Sequence, residues 1–564
     1  MSNRTGAPAP ARHTFDIALE PLLALTSLFW AFSANQLFLR GALQGRSFAD
    51  WQTWGFALAL LVMLTASHYL LLALLTLAMP RPLLRPLLAL LIVATAAAAH
   101  FMQTFGVYLD PTMLRNALHT NVAEARELLS WSLLAHMLVY AALPLALLWH
   151  VRVLRRAGLR AVGLRLLSAA LALALLLGTL MLVFQPFASL MRNHRELRYQ
   201  ATPANYVWSL GAVAAAQARG AARPRQAIGL DAQPGPRTAA LGRGQRPLVV
   251  VLVVGETARA ANWGLNGYAR QTTPELARVP GLISFTQVDS CGTNTEVSLP
   301  CMFAPVGRRD YDEARIRGSE SLLHVLARAG VAVQWRDNQS GCKGVCEGLP
   351  YEEVASLNPA GLCSAGHCLD EGLLLGLDER LTRAAGQQGS QLLVLHQLGN
   401  HGPAYFRRYP PAFAQFKPVC EYDDLQRCSQ AEIVNAYDNA LLYTDHLLAG
   451  IVHKLQAAAA NVDSLLLYVS DHGESLGENN LWLHGMPYPI APDVQKRVPM
   501  LMWLSAGAPQ ALALDAGCLQ RRAAQPASHD HLFHTLLGVF DVRTALHEPA
   551  WDLGAGCRAP VPGP

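Results

Sequence analysis

The sequence predicts a two-part architecture: an α-helical transmembrane domain of five spans, followed by an α/β domain lying outside the cytoplasm. Three observations predict it. Of 564 residues, 52% are hydrophobic and only 15% charged, against about a quarter charged in an ordinary soluble chain, and the apolar excess falls almost entirely before residue 190. All ten cysteines lie between Cys291 and Cys557. Beyond residue 246, short apolar runs ending in polar residues alternate with amphipathic stretches.

Five apolar runs, at 17–39, 54–79, 85–105, 131–150 and 161–184, reach the length of about 20 residues that crosses a bilayer as a helix. Orientation follows the Lys/Arg bias of the short loops. With the amino terminus inside, nine arginines face the cytoplasm (Arg4, Arg12, Arg81, Arg85, Arg152, Arg155, Arg156, Arg160, Arg165) and four face away (Arg40, Arg46, Arg115, Arg126). Five spans then deliver everything that follows to the periplasm. The cysteines agree independently, because disulfides persist in oxidising compartments. Short spacing pairs Cys291 with Cys301, Cys342 with Cys346, Cys363 with Cys368 and Cys420 with Cys428, and leaves Cys518 and Cys557. The alternatives are buried free thiols or a zinc site on Cys342, Cys346, Cys363 and Cys368; the zinc site fits less well because such sites use tighter spacing at both ends. The net charge of +5 is small for the length, so no nucleic-acid partner is expected.

The expected domains are a transmembrane domain over 1–190, an interfacial helix and linker over 191–246, and a periplasmic catalytic domain over 247–564. The stretch carrying Arg192, Arg195, Arg198, Tyr199, Tyr206 and Trp208 mixes basic and aromatic residues as a helix at a membrane surface does. Residues 214–246, rich in Ala, Gly, Pro and Arg, read as a linker. In the last domain, buried-type strands are expected at 248–254, 331–335, 392–396, 465–470 and 498–504, with helices at 319–329 and 430–457. Alternating strands and helices imply a sheet covered on both faces.

Ligands of such sheets bind beyond the carboxyl ends of the strands, and Glu256, His401, Asp471 and His472 fall there. A turn at Gly473 lets Asp471 and His472 face one ion; a carboxylate and an imidazole are ordinary zinc ligands, and Glu256 supplies a second carboxylate. Between Cys291 and Cys301 lies a Thr/Ser-rich segment. A hydroxyl there needs activation to attack, which a zinc ion on Glu256, Asp471 and His472 would provide. By composition alone, a stapled loop without chemistry is the stronger reading of this segment. His529, His531 and His534 are expected at a helix amino terminus, solvated or bonded into the core. His68, His100 and His136 are expected near span ends.

Several motifs carry a resemblance over nearly the whole chain. They are Gly255-Glu256-Thr257-Ala258-Arg259, Asn266-Gly267-Tyr268, the segment from Ser290-Cys291-Gly292-Thr293 through Thr295 to Pro300-Cys301-Met302-Phe303, Ser340-Gly341-Cys342-Lys343-Gly344-Val345-Cys346, Gly399-Asn400-His401-Gly402-Pro403, and Ser470-Asp471-His472-Gly473-Glu474-Ser475-Leu476-Gly477-Glu478. The set resembles the lipid A phosphoethanolamine transferases, a family that includes the mobile colistin-resistance enzymes. The resemblance implies an alkaline-phosphatase/sulfatase-like domain with one tight zinc on Glu256, Thr295, Asp471 and His472, and Thr295 as nucleophile. It further implies substrate contacts from Asn116, Glu124, Ser340 and Lys343, while His401 and His484 match positions that bind substrate or a second, weaker zinc. Phosphatidylethanolamine would be the donor and lipid A the acceptor, with a monomeric inner-membrane enzyme lowering polymyxin and cationic-peptide binding. Glu296 departs from the family, where a small or aromatic neutral residue is familiar, and is expected to face solvent. The rival readings are a phosphoglycerol transferase, an acceptor in the lipopolysaccharide core or a periplasmic glucan, and a non-enzymatic membrane scaffold. A formylglycine sulfatase is disfavoured, because neither Cys291 nor Cys301 is followed by x-Pro-x-Arg.

Overall fold

The computed structural model describes residues 15–77, 79–120, 122–154, 158–221, 225–237, 246–357, 359–364, 367–387 and 389–559. Arg4, Arg12, Arg155 and Arg156 of the orientation count lie outside them. The chain divides into two compact units, Met1–Leu114 with Ser130–Ala212, and Arg115–Leu129 with Val213–Pro564.

In the first unit, Trp51–Leu77, Pro82–Phe105, Trp131–His150 and Arg160–Leu182 are each long and apolar enough to cross a membrane. The run expected at 17–39 is instead two helices, Leu19–Ser33 and Gln36–Leu43, bent by 57°. Asn35 stands at the break. Its side-chain amide donates to the carbonyls of Trp30 and Thr202, each at 2.8 Å, a local competition with backbone bonding that interrupts helices. His68 does not sit near a span end: it is buried inside helix Trp51–Leu77, edge-on to Trp30. The expected single interfacial helix is also broken. Phe184–Asn193, a 3-10 segment Arg195–Gln200 and Ala204–Ala221 follow one another, with Pro203 at the interruption, where a ring in place of N–H cannot continue a helix.

In the second unit, seven strands make one sheet. They are β1 (Leu248–Gly255), β2 (Ile283–Phe285), β3 (Ala332–Asp337), β4 (Tyr351–Glu353), β5 (Ser390–His396), β6 (Asp463–Ser470) and β7 (Met500–Leu504), in the order β2-β7-β6-β1-β5-β3-β4. All pairings are parallel except those of β7, which runs against both β6 and β2. Every residue of β1 and β6 is buried. That explains their continuous apolar sequence, since a central parallel strand meets a core on each face. Those two cores form, one around Val250, Leu252, Leu467 and Phe533, the other around Val251, Val253, Leu466 and Ile451. Helix Gln430–Ala458 supplies much of the second. Its start is fixed by a capping box in which Ser429 and Glu432 satisfy each other's backbone.

Part of the expected linker is ordered structure of this unit. Gln233–Pro234 pairs with Val542–Arg543, and Arg237 donates to the Gly538 carbonyl at 2.8 Å. Residues 222–224 and 238–245 of that stretch lie outside the described residues. Five disulfides, Cys291–Cys301, Cys342–Cys346, Cys363–Cys368, Cys420–Cys428 and Cys518–Cys557, use every cysteine, so a four-cysteine zinc site is ruled out.

Candidate active site

β1 and β6 are adjacent and parallel, with Ser470 opposite Gly255, so the residues that follow them emerge side by side. Glu256 follows β1; Asp471 and His472 follow β6. Two glycines make room. Gly399 has φ +53°, and a Cβ there would stand 2.7 Å from the Glu256 carbonyl oxygen. A Cβ on Gly473 would stand 2.0 Å from the Val494 carbonyl oxygen. Thr257 holds φ 53°, a conformation unfavourable for a β-branched residue, and its N–H donates to Asp471 Oδ1 at 3.2 Å.

Glu256, Asp471 and His472 are buried, and one ligand atom of each lies within 4.8 Å of the others. His472 Nε2 stands 3.4 Å from Glu256 Oε1 and 3.3 Å from Asp471 Oδ2. The Thr295 hydroxyl lies 3.1 Å from Glu256 Oε2 and 3.4 Å from His472 Nε2. Tetrahedral zinc with bonds of about 2.0–2.1 Å separates its ligands by roughly 3.3–3.4 Å. The distances from His472 Nε2 to Glu256, Asp471 and Thr295 are thus those between ligands that share one zinc. Among the described residues, Asp471 Oδ2 accepts no hydrogen bond. The His472 Nδ1 position pairs with the Gly473 carbonyl at 2.9 Å, which leaves Nε2 for an ion. Burial, and then the Asp471 carboxylate, push the Glu256 carboxyl above its ordinary range. Two buried carboxylates against one imidazole leave negative charge for a divalent cation to neutralise. The residues fit a metal.

Thr295 opens helix Thr295–Met302, whose N-cap Asn294 accepts from the Val297 N–H at 3.0 Å. The Cys291–Cys301 bond closes the segment around this helix. His529 ties the segment to β6. It accepts from the Cys291 N–H at 3.1 Å, and its other nitrogen pairs with the Ser470 carbonyl at 2.9 Å. Burial drives its pKa down to about 4, so it is a neutral strut. His531 and His534 are likewise buried in helix Asp530–Val539. Arg259, inside the first motif, reaches Glu478 at 2.7 Å and the Glu474 carbonyl at 3.1 Å, locking two motifs together.

The loop after β3 carries the next group. Asp337 accepts from the Gln339 N–H at 3.0 Å and the Gly341 N–H at 2.9 Å, and His396 stands 2.8 Å from its other oxygen. Lys343, at φ 48°, donates to the Ser340 hydroxyl at 2.7 Å. Gln339 donates to Glu256 Oε2 at 3.3 Å, a link that sequence reasoning missed although it adjoins Ser340. The His401 and His484 rings lie 5.6 Å apart, and His484 lies 4.4 Å from His472. Burial holds both His401 and His484 well below the ordinary imidazole pKa. They are therefore neutral hydrogen-bonding groups.

Segment Arg115–Leu129, encoded between two apolar helices, belongs to this unit. Glu124 is buried. Burial raises its pKa to about 7; Lys343 and Arg408 pull down and Glu256 pushes up, which places Glu124 within electrostatic reach of the loop lysine and the metal-type cluster. Asn116 is half-buried in helix Pro111–His119. Beyond Glu124, the buried Glu127 pairs with Arg408 and stands 3.2 Å from His367, while Arg408 donates to the His401 carbonyl at 2.7 Å. Glu296 corrects the sequence expectation outright. Its carboxylate is 1% exposed, 2.9 Å from Arg317 and 3.2 Å from His119.

Comparison with known proteins agrees with this arrangement. Residues 52–218 match the family described as phosphoethanolamine transferase EptA/EptB, and residues 249–542 match the sulfatase family. The chain is 39% identical over 479 residues to phosphoethanolamine transferase EptA of Escherichia coli (strain K12), covering 84% of this chain and 86% of the relative. It is 37% identical over 529 residues to phosphatidylethanolamine transferase Mcr-1 of Escherichia coli, covering 92% and 94%. The solved integral membrane protein lipooligosaccharide phosphoethanolamine transferase A from Neisseria meningitidis superposes with a TM-score of 0.91 at 36% identity, covering 97% of this chain and 100% of that one.

Proposed function

The chain belongs to the phosphoethanolamine transferase EptA/EptB family, and from that premise we propose that it moves phosphoethanolamine from phosphatidylethanolamine to a lipid A phosphate through a covalent intermediate on Thr295. It is an integral inner-membrane protein whose catalytic domain lies in the periplasm, where its five disulfides are stable. Its apolar helices form a transmembrane domain within 1–190, apart from the segment Arg115–Leu129, which groups with the catalytic unit as does the chain from Val213 onward. The observation that carries the reading is the Thr295 hydroxyl, buried beside Glu256 and His472 at ligand spacing.

Glu256, Asp471 and His472 would hold one zinc, with Thr295 completing the set. The bound ion would supply a lowered hydroxyl pKa and charge stabilisation at phosphorus. The Thr295 hydroxyl directs its proton at Glu256 Oε2. Its oxygen forms a bond to phosphorus as the bond from phosphorus to the diacylglycerol oxygen breaks, and the proton given up by Thr295 goes to the departing diacylglycerol oxygen. A lipid A phosphate oxygen then bonds to phosphorus, the bond to Thr295 breaks, and the proton of the lipid A phosphate returns to the Thr295 oxygen. Lys343, paired with Ser340, supplies fixed positive charge. His401 and His484, neutral and buried, hydrogen-bond the phosphoryl oxygens or the leaving group. Asn116 and Glu124 hold the ethanolamine ammonium, a role suited to a buried acid. A lipid donor and a lipid acceptor explain why the catalytic domain shares a chain with membrane helices.

Mass spectrometry of lipid A from cells expressing the protein tests the reading. Phosphoethanolamine on lipid A is expected. Unmodified lipid A alongside a modified core sugar or glucan would move the acceptor elsewhere.

A further inference from the structure

Helix Thr295–Met302 contains Pro300. A proline has no N–H, so the carbonyl four residues before it loses its helical partner. That carbonyl belongs to Glu296. Arg317 replaces the missing donor, bonding the Glu296 carbonyl while standing 2.9 Å from the Glu296 carboxylate. One guanidinium thus grips both ends of the residue next to Thr295.

The pairing extends outward. Arg317 lies 3.2 Å from Glu313, and Glu313 pairs with Arg115. The other carboxylate oxygen of Glu296 meets His119. Arg115 and His119 are four residues apart in helix Pro111–His119, so they share a face. Glu296, Arg317 and Glu313 alternate in sign and receive that face at two points. A buried carboxylate is costly unless paired, and nothing in Thr295 chemistry requires one beside it. Its partners give it a purpose: helix Pro111–His119 also carries Asn116, and Glu124 follows in the same segment.

We propose that Glu296 is a positioning residue for the donor, the centre of a charge-alternating clasp that fixes the segment bearing Asn116 and Glu124 against the helix bearing Thr295. The inference rests on the reading that those two residues hold the donor's ethanolamine.

Two readouts on the full-length protein in detergent or vesicles keep the clasp and the activity separate. Hydrogen exchange across residues 115–129 reports the clasp alone. Protection is expected to fall about tenfold in His119→Ala and further in Glu296→Ala. Kinetics report the function. In a double displacement, kcat/KM for the donor reflects only the first half-reaction and kcat/KM for the acceptor only the second. Donor kcat/KM is expected to fall about tenfold in either variant, acceptor kcat/KM to change less than about twofold, and the double variant to be no worse than Glu296→Ala, because both remove one interaction. His119 is half-exposed, so His119→Ala keeps the test valid if Glu296→Ala fails to fold. Unchanged protection in His119→Ala overturns the clasp. Equal losses for donor and acceptor, or losses that multiply in the double variant, overturn the positioning role. Lost protection in a protein whose wild type transfers no phosphoethanolamine leaves the clasp standing, overturning the proposed activity and with it the donor-positioning role.

Discussion

The proposed nucleophile side and the proposed donor side of this site are held by different means. Glu256, Asp471 and His472 follow two adjacent central strands, and Thr295 opens a disulfide-closed helix; their positions are consequences of sheet register. Asn116 and Glu124 ride on Arg115–Leu129, a segment encoded between apolar helices and held to the catalytic unit by ion pairs at each end, Arg115 and His119 at one and Glu127 at the other. The first arrangement suits an ion that must be gripped within tenths of an ångström. The second suits a group that must admit and release a lipid, since segments with few apolar contacts open most readily.

If that contrast is right, damage on the two sides differs in kind as well as size. On the nucleophile side, Asp471→Ala should remove both metal and turnover, with activity down by about a thousandfold or more. Metal analysis of the purified variant beside an assay checks this, and full activity in exhaustively chelated wild-type protein would break the contrast at its stronger end. On the donor side, Arg408→Ala leaves the buried Glu127 carboxylate with only His367 beside it, at a cost of up to about 3–5 kcal/mol. Because the cost falls on a docked segment, hydrogen exchange across 115–129 should accelerate while metal content stays at the wild-type level. Metal loss in that variant would mean the two sides are one cooperative piece.

The smallest effect concerns pH. Burial pushes the Glu127 carboxyl up, but His367 and Arg408 pull it further down, from 4.5 to about 2. A carboxyl depressed in the folded state stabilises docking fully above its unfolded pKa, and that contribution is lost as pH falls through the folded value. The contribution of Glu127 to docking should therefore be constant above about pH 4.5 and be lost progressively towards about pH 2. Pepsin cleavage within 115–129, compared between wild type and Glu127→Gln, measures it. An identical pH profile in the two proteins would remove Glu127 from the account.

The contrast also explains what the sequence made legible. The strands at 248–254 and 465–470 were readable because burial on both faces forces a continuous apolar run, and the acids and histidine beyond them were readable because strand ends are where ligands bind. Glu296 was not. Whether it faces solvent depends on Arg317 and on His119, the latter 177 residues away; only Pro300, which orphans the Glu296 carbonyl, hinted locally at an outside donor. Glu127 and Arg408 pair across 281 residues and carry no local signal at all. His68 shows the same limit in the membrane unit: hydrophobic length located its helix, but its burial against Trp30 is a matter of packing between helices. Gln339 was within reach, since the loop that presents Ser340 also presents its neighbour to Glu256.

The covalent step on Thr295 is the claim on which the rest depends, and intact-mass analysis with peptide mapping tests it most directly. Wild-type protein incubated with phosphatidylethanolamine and no acceptor should gain one phosphoethanolamine on the peptide containing Thr295, and the adduct should vanish on adding lipid A. Thr295→Ser should retain a weaker adduct, because serine keeps the hydroxyl and loses the methyl that helps fix its rotamer. An adduct mapping to Thr293 or Ser298, or wild-type transfer by Thr295→Ala, would contradict the account.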